Sequence, residues 1–339
     1  MENMLLDQWA ADVEPCLGPL FEVVDDFTRL TGVPVDLPDV LFRRARSASF
    51  ERPGKVSAGG SCHLMAAEDG WVAINLARPD DEASLPALLA LLDAVPGTDL
   101  RTAVLRSSAT RAARAAQSLG IPAAVHAEAL GGRGPVRAER FGAREPRDLD
   151  GLRVVDLSAL WAGPLCARQL GLAGARVVKV ESTQRPDGAR FGHPAFYDWL
   201  HDGHESLVLD FASGALAAAV AEADVVIEAS RPRALRRLGV RAEEFLAARP
   251  GRVWVGITGY GRDDDRVAFG DDAAVAGGLT GLDEHGAPVF LGDALADPVT
   301  GLYAARAAVR SLERGGGELV CVSMAACAGA LAASRAARC

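Results

Sequence analysis

The chain has 339 residues, 49% of them apolar, and a formal net charge of −9. That length suits two domains, or one large domain with a satellite, and the acidic balance argues against a nucleic-acid backbone as partner. No apolar run reaches the ~18 residues of a membrane helix. The start, Met1-Glu2-Asn3-Met4, has neither a basic stretch nor a signal-peptide core, so a cytoplasmic protein with no membrane partner is expected.

In chain order, residues 1–135 read as helices around a short sheet. A glycine loop, Ser57 to Ser61, precedes a strand over Gly70 to Leu76. Helices are expected over Leu85 to Leu92 and Arg101 to Leu119, and a strand over Gly120 to Val125. Residues 136–150, in a stretch rich in Gly, Arg, Glu and Pro, read as a linker. From 151 to 339, strands and helices alternate. Strands are expected at Arg153 to Leu157, Arg176 to Glu181, Leu207 to Leu209, Val225 to Ile227, Val253 to Ile257 and Leu319 to Val322. Helices are expected at Pro164 to Ala173, Leu216 to Ala223 and Pro298 to Leu312. This predicts an α/β fold: a Rossmann-like parallel-sheet large domain with a smaller α+β domain. The first strand–helix turn, residues 158–164, is not GxGxxG, which leaves little support for a nicotinamide cofactor.

Cysteines 16, 62, 166, 321, 327 and 339 form no CxxC pair and none stands at metal spacing from a histidine, so free thiols and no metal site are expected. Cys339 ends the sequence without the three further residues that prenylation needs. Asp297 stands before an expected helix, where a carboxylate is either a plain N-cap or a functional anion favoured by the helix dipole. Asp271 and Asp272 form an adjacent pair open to the same two readings. Arg231, Arg233, Arg236 and Arg237 follow a strand's carboxyl end, as a phosphate site or as a solvated helix face. His193, His201 and His204 lie close together without zinc spacing. Trp161 is core or pocket lining.

Taken together, GLRVVDLS at 151–158, WAGP at 161–164 and GARVVKVE at 174–181 resemble the opening of the class III CoA-transferases. That family includes formyl-CoA transferases, carnitine CoA-transferases and 2-methylacyl-CoA racemases. SLVLD at 206–210, ADVVIEASRP at 223–232 with RLG at 237–239, ITGYG at 257–261 and ADPVTGLYAA at 296–305 follow in the family's order. The N-terminal part, with GGS at 59–61, DGWVAI at 69–74 and LGIPA at 119–123, is similar to the family's later, smaller domain. The order of parts therefore looks circularly permuted.

The resemblance implies the class III fold and CoA transfer between an acyl-CoA and a carboxylic acid, with CoA as substrate and no tightly bound cofactor. It makes Asp297 the nucleophile that forms mixed-anhydride and aspartyl-CoA intermediates. Gly59 and Gly60 become the loop over the site. Leu160, Leu209, Ala229, Ser230, Arg237 and Leu238 fall where the family holds CoA, and an interlocked homodimer is implied. Three positions depart from the pattern. Ala229-Ser230 replaces a frequent Asn-Phe, and Trp161 replaces the glutamine of formyl-CoA transferases. Asp271 stands where racemases carry a histidine. A racemase using Asp297 with Asp271 or Asp272, and a non-catalytic CoA-binding subunit, are the alternatives.

Overall fold

A computed structural model describes residues 9–336; residues 1–8 and 337–339, Cys339 among the latter, lie outside the described residues. The N-terminal part contains α1 (Gly18–Thr31), α2 (Leu37–Ala48), β1 (Cys62–Ala67), β2 (Gly70–Asn75), α3 (Pro79–Ala83), α4 (Leu85–Leu91), α5 (Leu100–Leu105), α6 (Ala109–Ser118) and β3 (Ala123–Val125). Then come β4 (Val136–Arg140), β5 (Arg153–Asp156), α7 (Ala162–Leu172), β6 (Arg176–Ser182), α8 (Pro194–His201), β7 (Glu205–Leu209), α9 (Ala215–Ala221) and β8 (Val225–Glu228). The chain continues through α10 (Pro232–Arg237), α11 (Ala242–Ala248), β9 (Val253–Thr258), α12 (Gly270–Ala276), β10 (Thr280–Leu282), β11 (Pro288–Phe290), α13 (Ala296–Glu313), β12 (Glu318–Ser323) and α14 (Met324–Ala336).

Seven strands form one sheet in the order β4-β12-β9-β8-β5-β6-β7. All neighbours pair in parallel except β4, which joins β12 antiparallel at the edge. The near-continuous apolar strands are those of a sheet covered on both faces. Alternate side chains enter different cores. Val154, Val225, Ile227, Val253 and Val255 meet α1, α2, α7, α13 and α14 on one face. Val155, Val226 and Trp254 meet α9, α10 and α11 on the other. A second, antiparallel sheet, β1-β2-β3, packs Met65, Val72 and Ile74 on α4–α6. Its opposite face sets Cys62, Leu64 and Ala73 against Val275 of α12.

The structure differs from the sequence expectations in three places. The stretch 101–119 is two helices, because Ser108 accepts the backbone N–H of Arg111 and starts α6 afresh. Residues 136–140, expected as linker, form the sheet's edge strand. The expected unit 1–135 is shared between two cores. Leu20, Val23 and Phe27 of α1 and Val40, Leu41 and Phe42 of α2 join the large sheet's core, while β1–β3 with α4–α6 build their own. The apolar stripes of α1 and α2 carry no mark of which sheet they cover.

Helix α13 crosses α7 so closely that a Cβ on Gly301 would lie 2.7 Å from the Ala162 carbonyl oxygen and 2.9 Å from Leu165. Gly301→Val should therefore cost about 2 kcal/mol of stability by overpacking, measured by urea denaturation. A variant as stable as the parent would contradict this packing.

Candidate active site

Helices α12 and α13 start beside each other, and their first turns bring Asp271, Asp272 and Asp297 to one place. Asp293, in the turn before α13, joins them. A Cβ on Gly270 would collide with the Asp297 carboxyl group, so only glycine admits that approach. Asp271, Asp272 and Asp293 are buried. Asp297 alone of the four keeps part of its surface open.

Each acid has a distinct setting. Asp271 Oδ1 accepts the Ala294 N–H at 3.0 Å, the Ser57 hydroxyl also donates to this carboxyl, and burial raises it. Asp272 Oδ1 accepts the Phe269 N–H at 3.0 Å and Asn75 Nδ2–H at 3.1 Å, so its capping role is real. Its Oδ2 is buried with no partner among the described residues, and burial pushes the group up to about 7. Asp293 meets Arg44 Nη2 at 3.1 Å and is pushed up by burial to about 7. For Asp297, burial opposes ionisation, Arg44 favours it, and Asp271, Asp272 and Asp293 oppose it again; the outcome is about 8.

The expectation that a helix dipole keeps Asp297 charged is therefore corrected. Asp297 lies inside the first turn, with Leu295 as N-cap. A dipole contributes about 0.3–1 kcal/mol, less than burial among like charges takes away.

The glycine loop touches this cluster through Ser57, which bonds to Asp271. Gly60 N–H donates to Ser57 O at 2.8 Å, and Cys62 N–H donates to Ser57 Oγ at 3.1 Å. A Cβ on Gly59 would lie 2.9 Å from Arg44 Nη2. Gly59, Asp271 and Asp297 are thus brought together as the sequence suggested. Surface depressions of about 360 and 320 Å³ lie elsewhere, one beside Pro53 and Phe290 and one between Arg236 and Glu243.

Of the other singled-out residues, those at or after the ends of β5, β7 and β8 stand at the carboxyl end of the large sheet. Strand order reverses between β5 and β8, the switch point at which open α/β sheets form ligand crevices. Leu160 follows β5, while Ala229 and Ser230 follow β8. Leu209 ends β7, and Arg237 and Leu238 end α10. Arg237 is exposed and forms no ion pair among the described residues, whereas Arg233 pairs with Asp265 and Arg236 with Glu243.

Leu160 has φ +72°, a left-handed conformation that costs a non-glycine residue about 1–3 kcal/mol. Its N–H is held by Asp187 Oδ1 at 2.9 Å. Asp187 in turn holds the buried Lys179 ammonium at 2.8 Å, and Lys179 also donates to the Ser158 carbonyl. Burial alone would lower Lys179, but Asp156 and Asp187 outweigh it and raise it. Next to Leu160, the buried Trp161 faces Arg44, whose Cζ lies 5.7 Å from the ring, so the turn reaches the acid cluster. Among the three histidines, His201 is held neutral to about 4 by burial and by Lys179. No group of three or more His, Cys, Asp or Glu suited to a metal occurs among the described residues.

Residues 149–338 match the model of CoA-transferase family III. The chain belongs to that family. This family III chain is 29% identical, over 50% of its length and 46% of the relative's, to the succinyl-CoA–D-citramalate CoA-transferase of Chloroflexus aurantiacus. It is 30% identical to the human succinyl-CoA:glutarate CoA-transferase, over 47% of this chain and 40% of that one. It therefore spans about half the length of the curated relatives it matches. A crystal structure of a CaiB/BaiF-family protein from Brucella suis superposes with a TM-score of 0.51 at 29% identity, covering 57% of each chain.

Sequence reasoning missed Arg44, Ser57, Asn75 and Asp293. Arg44 is one of three arginines in four positions on α2, and periodicity does not separate it from its neighbours. Three of the four acids hold protons in the folded chain well above the usual carboxylate range. The contribution of these three groups to stability should therefore be fully present at acid pH and be lost as pH rises from about 4 to about 8, as each group is forced to ionise. Asp272→Asn keeps the acceptor for Phe269 and removes one such proton, so the fall in unfolding temperature should become shallower. An unchanged slope would contradict the burial of an uncharged Asp272.

Proposed function

We propose that this chain moves CoA between an acyl-CoA thioester and a carboxylic acid, with Asp297 as nucleophile. One observation carries the reading. Asp297 lies in the segment that matches family III and is the only member of its acid cluster with open surface. Its carboxylate attacks the thioester carbonyl, the C–S bond breaks, and CoA thiolate leaves a mixed anhydride. Thiolate then attacks the Asp297 carbonyl and releases the first acid, giving an aspartyl-CoA thioester. The acceptor carboxylate attacks that thioester, and the returning thiolate takes the acceptor's acyl group and frees Asp297.

The loop carrying Gly59 and Gly60 borders the cluster, with the Gly60 N–H engaged by the Ser57 carbonyl. Once released, loop N–H groups can face a developing oxyanion. CoA would run along the sheet's carboxyl end past Leu160, Leu209, Ala229, Ser230 and Leu238, with Arg237 on a phosphate. The circular permutation, an interlocked homodimer and a cytoplasmic location belong to the same proposal. The racemase alternative needs Asp271 or Asp272 at a substrate α-carbon, yet Asp271 is 6% exposed and bound to Ala294, and Asp272 is fully buried and bound to Phe269 and Asn75.

Asp297→Asn should abolish transfer of label from a radioactive acid into acyl-CoA, by roughly 10⁴-fold, while leaving the circular-dichroism spectrum intact. Near-parental exchange would refute the assignment. Exchange of the α-hydrogen with solvent in place of transfer would favour the racemase.

A further inference from the structure

We infer that Arg44 is the positioning residue that lets Asp297 ionise, supplied by the part of the chain outside the family-matched segment. The inference rests on the reading of Asp297 as nucleophile. Four carboxyl groups share one buried site, and a nucleophilic carboxylate must carry charge. Among the described residues, Arg44 is the cation in contact with this cluster, meeting Asp293 at 3.1 Å, and its charge favours the ionised forms of Asp271, Asp293 and Asp297 alike. Its guanidinium reaches in from α2, contacts Asp293 at 3.1 Å and lies over the rings of Phe50 at 5.5 Å and Trp161 at 5.7 Å. Gly59 stands so close that a Cβ there would lie 2.9 Å from Arg44 Nη2.

The remaining titratable groups around the cluster do not substitute for it. Cys62 on β1 and Tyr260 before α12 are both raised by burial and by these acids, so they stay neutral at working pH. Asp272 and Asp271 on α12, Asp293 before α13 and Asp297 on α13 are all potential anions. Like charges at a shared site hold protons, and an opposite charge nearby releases one. The pairing of Arg44 with Asp293 sets how much of that charge reaches Asp297.

The test is a titration read independently of turnover. Protein labelled with carboxyl-¹³C aspartate is titrated by NMR, with Asp297→Asn assigning the Asp297 resonance, and the pH profile of kcat/KM is recorded beside it. In Arg44→Gln the Asp297 midpoint and the acid limb of the profile should both rise by about one pH unit or more, a tenfold loss of ionised Asp297 below the midpoint. Arg44→Lys should restore both. Should Arg44→Gln fail to fold, Asp293→Asn carries the test: freeing Arg44 and removing an anion should lower the Asp297 midpoint. A midpoint unmoved by Arg44→Gln, or one that stays or rises in Asp293→Asn, overturns the inference. Absence of transfer in the parent protein alongside the expected NMR shifts would instead strike the proposed function and leave the electrostatic inference standing.

Discussion

Four carboxyl groups and one guanidinium meet where α12 and α13 begin, and the rest of the site is arranged around that imbalance. Two like charges about 4 Å apart repel by about 4 kcal/mol at the effective dielectric of a protein site, so Asp271, Asp272, Asp293 and Asp297 cannot all ionise together. The chain answers with protons, with backbone donors at Phe269 and Ala294, and with Arg44. Asp297 is partly exposed as a residue while its three neighbours are buried. That combination, a reachable acid in a strongly perturbed setting, is what covalent chemistry at a carboxylate demands.

The imbalance also ties the two parts of the chain together. Arg44 and Ser57 come from before the small sheet and Asn75 from within it, whereas all four acids come from the matched segment. Trp161 joins the acid cluster to the large sheet's switch point, because it follows the strained Leu160 and faces Arg44. The strain at Leu160 is held by Asp187, itself held by a buried lysine. Gly301 lets α13 settle against α7 beside that turn, fixing Asp297 relative to the crevice. A thioester seated along the sheet would thus meet the nucleophile at the junction of two packed helices and a loop.

Much of this was legible in the sequence. Apolar strands of four to seven residues, broken by helices at regular intervals, gave the parallel sheet, and the resemblance to the class III CoA-transferases brought out Asp297 as nucleophile, Gly59 and the residues after β5 and β8. Asp297's ionisation was not legible, because a helix start reads the same whether it faces water or three other acids. Arg44 was hidden for a related reason: its role depends on Asp293, 249 positions away along the chain. The helices α1 and α2 show apolar stripes that fit either core, and only tertiary packing assigns them to the large sheet. The edge strand β4 was hidden by its alternation of charged residues, which suits an exposed edge as well as a linker.

The most direct test of the account is chemical capture of the intermediate. Protein turning over acyl-CoA and acceptor acid in the presence of hydroxylamine should accumulate a hydroxamate, located by peptide mass spectrometry. The account predicts modification at Asp297, dependent on acyl-CoA, with Asp271, Asp272 and Asp293 untouched. A hydroxamate on one of those three, or none at all during active transfer, would contradict it.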